Sequence, residues 1–227
     1  MTFPRDKVLL RQAGTSSRVV DPGIELALER VWADQLAEAA ARGLLLTDAP
    51  AYRLESTVEH EGVLELGLAM EPYRVHSAMK VLHRDPRVRP EHHDRTLVAD
   101  GLVRTTDDHY LLLRTPKVTG VELQLVGGTA SPAQRVLETA DDLFGFMSQR
   151  VERALGVEAA EVRVLGLRGL VHLEVGCVNA VFDVRLTVRA DEVRPGRGSE
   201  VVVVPAAGLR DFLAAGPAYL PSVAALL

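Results

Sequence analysis

The stretch from Leu123 to Val157 constrains this chain more than any other. It reads LQLVGGTASPAQRVLETADDLFGFMSQRVERALGV. A strand, Val121 to Val126, runs into Gly127-Gly128, where the backbone can approach a ligand closely. A loop follows, then one long helix closed by Leu155, Gly156 and Val157. Leu137, Ala140, Phe144, Met147, Val151 and Ala154 recur at the spacing of a buried helical stripe. Glu138, Asp142, Gly145, Gln149 and Glu152 form a separate polar stripe.

The elements around this centre follow from pattern. Lys7 to Arg11 reads as a short strand and Gly14 to Ser17 as a loop. Asp21-Pro22 is a helix start, because Asp caps free backbone N–H groups and Pro suits the first helical position. That helix is expected to run to about Arg42, with Ile24, Leu28, Val31 or Trp32, Gln35, Leu36 and Ala39 on one face, and to stop at Gly43. Leu54 to Val58 and Val63 to Ala69 pair across Glu61-Gly62. Residues 71–95, rich in Arg, His and Pro, are irregular: a domain junction, an active-site loop, or a short helix with a loop. From Thr96 the pattern changes to a hairpin, Thr96 to Thr105 with His109 to Arg114, around Thr106-Asp107-Asp108. After the central helix, Glu161 to Leu170, Leu173 to Val175, Ala180 to Val188 and Val201 to Val204 read as strands. Leu209 to Ala214 begins a last helix, and Pro221 to Leu227 suggests a further one. Strands on both sides of a long helix, with another helix at the end, predict an α/β/α sandwich.

Composition narrows the partners. The 227 residues are 47% hydrophobic and 25% charged, ordinary for a globular protein. A net charge of −5 argues against nucleic acid or an anionic membrane as an obligate partner. No apolar run approaches a membrane span of roughly 20 residues, and no signal peptide is expected. One cysteine, Cys177, excludes an intramolecular disulfide and fits a reducing cytoplasm. The bias toward Ala, Leu, Val and Arg resembles that of a high-GC bacterium.

The central stretch resembles the Nudix box, whose family pattern runs Gly, five residues, Glu, seven residues, then Arg-Glu-U-x-Glu-Glu-x-Gly-U, with U aliphatic. Anchoring the final Gly-U on Gly156 and Val157 puts Gln149 at the Arg and Arg150 at the next Glu. Arg153 and Ala154 stand at the paired glutamates. Val126 stands where Pro often precedes the two glycines. Other stretches match the UDP-glucose diphosphatase branch in order. Ile24 to Leu36 resembles its N-terminal helix, Asp48 to Leu54 its Asp-Ala-Pro-x-aromatic-Arg-Leu signature, and Leu66-Gly67-Leu68 with Tyr73-Arg74 its next segment. Asp107-Asp108 with Leu111 to Arg114, Asp142-Leu143-Phe144, and Leu220-Pro221-Ser222 follow. The resemblance implies a Nudix-type α/β/α sandwich over 96–227. It adds an α+β extension over 1–95 that helps recognise a nucleotide.

Activity is a separate question. Hydrolysis in that superfamily relies on Mg²⁺ held by the box glutamates, which neutralises phosphate and acidifies the attacking water. Arg150 carries a permanent positive charge and no acceptor. Ordinary pyrophosphate hydrolysis is therefore expected to be lost, and Mg²⁺ is expected only in a rearranged site built from Glu138, Asp142 and Glu152. A solvated helix face accounts for those three acids more simply. Arg150 and Arg153, three apart on one helix side, could instead fork a phosphate, or be two surface arginines. Tyr52-Arg53 and Tyr73-Arg74 suit base stacking and phosphate binding, or ordinary strand-edge packing. Asp48, Arg114, Gly127 and Gly128 complete the expected ligand-binding set. His92-His93-Asp94 reads as a solvated loop, since neighbours on an extended chain face opposite ways. His76, His83 and His109 have no ligand spacing, and Cys177 reads as a small buried residue.

Three functions remain open: a binding protein for a nucleotide or nucleoside-diphosphate-sugar-like ligand, an enzyme with a relocated or repurposed site, and a structural or regulatory partner. A homodimer is compatible with each.

Overall fold

A computed structural model describes residues 2–14, 16–117, 120–196 and 198–227. A three-stranded sheet is built from β1 (Val8–Gly14), β2 (Pro50–His60) and β3 (Val63–Pro72) in the order β1-β3-β2. A six-stranded sheet holds β4 (Leu97–Arg104), β5 (His109–Lys117), β6 (Gly120–Thr129), β7 (Val162–His172), β8 (Val178–Leu186) and β9 (Glu200–Pro205), in the order β7-β8-β4-β6-β5-β9. The helices are α1 (Pro22–Ala41), α2 (Tyr73–Leu82), α3 (Ala140–Leu155), α4 (Leu209–Ala214) and α5 (Leu220–Ala224). Among the described residues no helix is long and apolar enough to cross a membrane.

Strand alternation explains the layers. Ala99, Val103, Leu111, Leu113, Val126, Ala180, Phe182 and Val184 join the cluster that contains α3. The intervening Leu102, Leu112, Leu125 and Val181 join the cluster of α4 and α5. Successive side chains point to opposite faces, so the six-stranded sheet is buried on both. This is the α/β/α sandwich the sequence predicts. Leu54, Leu64, Leu66 and Leu68 of the three-stranded sheet enter the same core as α3. That helix therefore buries Leu143, Phe144, Phe146, Met147, Val151 and Leu155, round roughly half its circumference at 3.6 residues per turn. The stripe read from the sequence placed Ala140 and Ala154 there; both lie within that arc but in the end turns of the helix, and are only partly buried.

The extension has its own logic. The Asp21 side chain accepts from Gly23 N and Ile24 N, at 2.8 and 3.0 Å, which starts α1. Trp32 rather than Val31 takes the buried position, and Leu36 is exposed. Of the alternatives for residues 71–95, the short helix with a loop is the one found. The first two residues complete β3, and α2 follows, burying Val75, Ala78 and Met79 against Ile24 and Leu28 of α1. That spacing was present in the sequence, masked by the Pro, Arg and His around it.

Two further expectations change. Leu173–Val175 is a turn between β7 and β8, not a strand. The β4–β5 hairpin pairs only at Val103↔Leu111 and Arg104↔Tyr110, because β6 inserts between the two strands beyond that point.

Gly156 ends α3 in the left-handed region, at φ +62, and a Cβ there would lie 2.1 Å from the Arg194 carbonyl oxygen. Gly156→Ala should therefore cost about 1–3 kcal/mol through backbone strain alone. Urea denaturation checks this; an unchanged midpoint would refute the clash.

Candidate functional site

The site region starts from the two glycines of β6, which face opposite sides of the sheet. A Cβ on Gly127 would lie 2.1 Å from the Ala99 carbonyl oxygen of β4. A Cβ on Gly128 would lie 2.5 Å from Arg150 Nη2 of α3. The Arg150 guanidinium thus fills the space a side chain at 128 would take. Its Nη2 donates to the Gly127 carbonyl at 2.8 Å, and its Nε is buried without a partner. Helical geometry puts it between Phe146 and Met147 on the buried arc. It is not one of two surface arginines; Arg153 is the exposed one. Burial holds the Arg150 pKa below its ordinary value, Arg153 beside it adds to this, and Asp100 opposes it.

Asp100, on β4, faces the other side of the sheet, next to Gly127. It is buried and accepts from Asn179 Nδ2 at 2.6 Å. Tyr219 lies close by. Burial and then Asp100 push its phenol well above the ordinary range, while its oxygen accepts from Leu125 N at 3.0 Å.

The loop between the glycines and α3 is held from the extension. Tyr52 N donates to the Ala130 carbonyl at 2.9 Å, and Ser131 Oγ donates to the Pro50 carbonyl at 2.6 Å. Leu137 N donates to Tyr52 Oη at 2.9 Å, and Gln12 Nε2 donates to the Leu137 carbonyl at 2.7 Å. Thr139 Oγ1 and Asp142 then form a capping box at the start of α3.

These contacts redefine several expected ligand-binding residues. Tyr52 is 2% exposed, so its ring offers no face to a base. Arg53 is also buried. Its Nη1 donates to the His93 and Asp94 carbonyls at 2.6 and 2.7 Å, and its Nε donates to Glu55 at 2.7 Å. Asp48 accepts from Arg74 N at 2.8 Å and Arg74 Nη1 at 2.5 Å, supplying the cap that Pro72 cannot give α2. Arg74 also donates to Glu29 at 3.1 Å. Tyr73 packs edge-on to Trp32, centroids 6.4 Å apart, and 5.5 Å from the His76 ring. Arg114 is exposed, 3.5 Å from Glu200, and shares the Leu112 face of β5, across the sheet from Arg150.

Mg²⁺ does not fit the helix as it stands. A hard cation needs oxygen ligands, and the space against Gly128 holds a guanidinium. The other acids do not compensate. Asp142 and Glu152 lie about 15 Å apart along the helix at 1.5 Å per residue. Asp142 accepts from Glu138 N, Thr139 N and Thr139 Oγ1 at 3.2, 3.0 and 2.8 Å. The Thr139 hydroxyl is the largest influence holding its carboxyl below the usual range. Glu152 accepts from Ser148 Oγ at 2.9 Å, and Glu138 is exposed. Among the described residues, no three His, Cys, Asp or Glu side chains gather as metal ligands.

The His92-His93-Asp94 segment is not a solvated loop. Asp94 is fully buried, and its Oδ2 lies 2.7 Å from His76 Nδ1. His92 is buried too, its Nδ1 accepting from Arg89 N at 3.0 Å. Burial alternates along the segment, with His93 and Arg95 only partly buried, so the inward-facing positions are those of His92 and Asp94. Sequence reasoning also missed Arg18, Glu55 and Glu71, which are buried with Arg53. Their signal is long-range, and no local pattern carries it. Cys177 is buried as expected, and burial first, then Asp94, pushes its thiol up to about 12.

No family model matches this chain, and no curated protein does. Solved structures similar to it include Nudix hydrolases. One from Nitrosomonas europaea is 16% identical, covering 57% of this chain and 85% of its own, with a TM-score of 0.42. RenU, a Nudix hydrolase from M. smegmatis, is 20% identical over 58% of this chain and 81% of its own, with a TM-score of 0.40. A NUDIX family hydrolase from Clostridium perfringens is 12% identical over 58% and 92%, again at 0.40. Fits this loose carry no residue-by-residue correspondence.

Tyr52→Phe should leave the buried Leu137 N–H without its partner and cost about 1–3 kcal/mol. Denaturant melts with amide exchange at Leu137 measure it; unchanged stability and exchange would sink the pinning role.

Proposed function

We propose that this chain is a Nudix-fold binding protein for a nucleotide-type ligand bearing phosphate, in which metal-dependent pyrophosphate hydrolysis has been lost. One observation carries the reading. The Arg150 guanidinium sits against Gly127-Gly128 on the buried side of α3, where the box resemblance aligns a metal-binding glutamate. A cation remains at that position, but as part of the protein. A guanidinium attracts phosphate oxygens and hydrogen-bonds them in pairs. It cannot lower the pKa of a bound water as a metal does. Arg153 adds a second, exposed cation one turn along. The nucleotide character of the ligand, and a nucleoside-diphosphate sugar in particular, rest on the family resemblance alone. Of the residues expected to contact it, the exposed Asp48 and the part-buried Tyr73 and Arg74 are the ones in the extension with surface still open.

The test is calorimetry with UDP, UDP-glucose and ADP-ribose, each with EDTA and with Mg²⁺. Binding is expected in EDTA, with no nucleoside monophosphate released under either condition. Arg150→Met should weaken binding at least tenfold, about 1.4 kcal/mol. It should hold or raise the melting temperature, since a hydrophobic residue of similar length relieves the burial of a charge. Mg²⁺-dependent release of a monophosphate would overturn the proposal.

A further inference from the structure

A second cluster, in the extension, stands independently of Arg150. Segment 16–21 joins β1 to α1, and it is strapped to the three-stranded sheet through side chains. Arg18 Nε donates to Glu71 Oε1 of β3 at 2.5 Å, and Arg18 Nη1 donates to Glu25 Oε1 of α1 at 2.7 Å. Ser17 donates through its backbone N, at 3.0 Å, and through its hydroxyl to Glu55 of β2. Val19 N donates to the Glu91 carbonyl at 3.0 Å. Arg53 of β2 sits on the other side of Glu71, with Nη1 3.6 Å from Oε2. Asp94, before β4, adds negative charge, with His76 of α2 bound behind it.

The charges do not balance. Arg18 and Arg53 are two guanidiniums among four carboxyls: Glu25, Glu55, Glu71 and Asp94. Glu71 is 6% exposed, and its Oε2 is buried with no hydrogen-bond donor. Asp94 is more deeply buried and its Oδ1 is likewise without a donor, but its Oδ2 meets both His76 Nδ1 and Thr96 N, whereas ionised Glu71 would carry charge on an Oε2 with no donor at all. A proton on that oxygen lowers the excess from two charges to one while Oε1 keeps its bond to Arg18. We infer that Glu71 is a proton-binding site whose ionisation loosens the strap 16–21 from the three-stranded sheet.

The sign follows from linkage. Burial, the largest influence, outweighs Arg18 and Arg53 and raises the Glu71 carboxyl to about 7 from an ordinary 4.5. A raised acid stabilises the closed strap in its neutral form. That contribution is complete below pH 4.5 and is lost as pH rises through about 7. Between pH 6 and pH 8 the open population should rise about tenfold.

Hydrogen exchange on the full chain tests this at the Ser17 and Val19 amides, corrected for the intrinsic pH dependence of exchange. Their protection is expected to fall about tenfold from pH 6 to pH 8 in the unmodified chain. In Glu71→Gln, which holds the neutral shape, protection should stay level across the same range. Protection in the unmodified chain that does not change between pH 6 and pH 8 would overturn the inference, whether or not the variant folds. An equal fall in both proteins would also overturn it, and would assign the titration to a neighbour such as His76 or His93.

Discussion

A helix whose core is shared by two sheets has little solvent face to spare, and this constraint shapes α3 and what surrounds it. Its buried arc runs from Phe146 through Arg150, Leu143 and Met147 to Val151, Phe144 and Leu155. Burying Phe144 and Phe146 contributes on the order of 1.5–3 kcal/mol each. An arc that wide captures a cation as well as hydrocarbon. Arg150 then has to find its acceptor inside the protein, and the Gly127 carbonyl supplies one because glycine at 128 leaves the path open. The double glycine and the arginine are two halves of one packing solution.

The ends of the helix are fixed by different means. At the start, Tyr52, Ser131 and Gln12 hold the incoming loop, and Thr139 with Asp142 satisfies the first free N–H groups. At the end, Gly156 reverses the chain under the Arg194 carbonyl. The extension is thus a structural part of the loop that opens the site. The aromatic–arginine pair at 52 and 53 spends its polar groups there, while Tyr73 and Arg74 keep part of their surface.

The layer order was legible in the sequence because it rests on short-range periods: alternating Leu64, Leu66 and Leu68, the capped start of α1 at Asp21-Pro22, and the glycine after Leu155. The absence of carboxylates at 150, 153 and 154 is read directly from the sequence. Burial of charge is not. Arg150, Arg53 and Glu71 look like surface residues in one dimension, because what covers them comes from elsewhere in the chain. Arg53 meets Asp94, and Arg18 meets Glu71, only after the strands and turns have assembled. The helix at 73–82 was one of three open readings of its segment, and its start could not be located because its cap is the distant Asp48.

Among the described residues, the parallel pairings of β1 with β3 and of β4 with β8 join strands far apart along the chain. The Phe144 ring meets Phe182 of β8 edge-on, with centroids 5.3 Å apart. During synthesis from the N-terminus, α3 is complete before the strand that covers this part of its apolar arc has been made. For that interval the chain displays one of its most hydrophobic surfaces and the unpaired edge of β4. Non-local closure of this kind is slow, and a chain waiting for it is open to association with its own copies. The strand that covers Phe144 in the folded protein therefore makes the last third of the chain the guardian against self-association during birth.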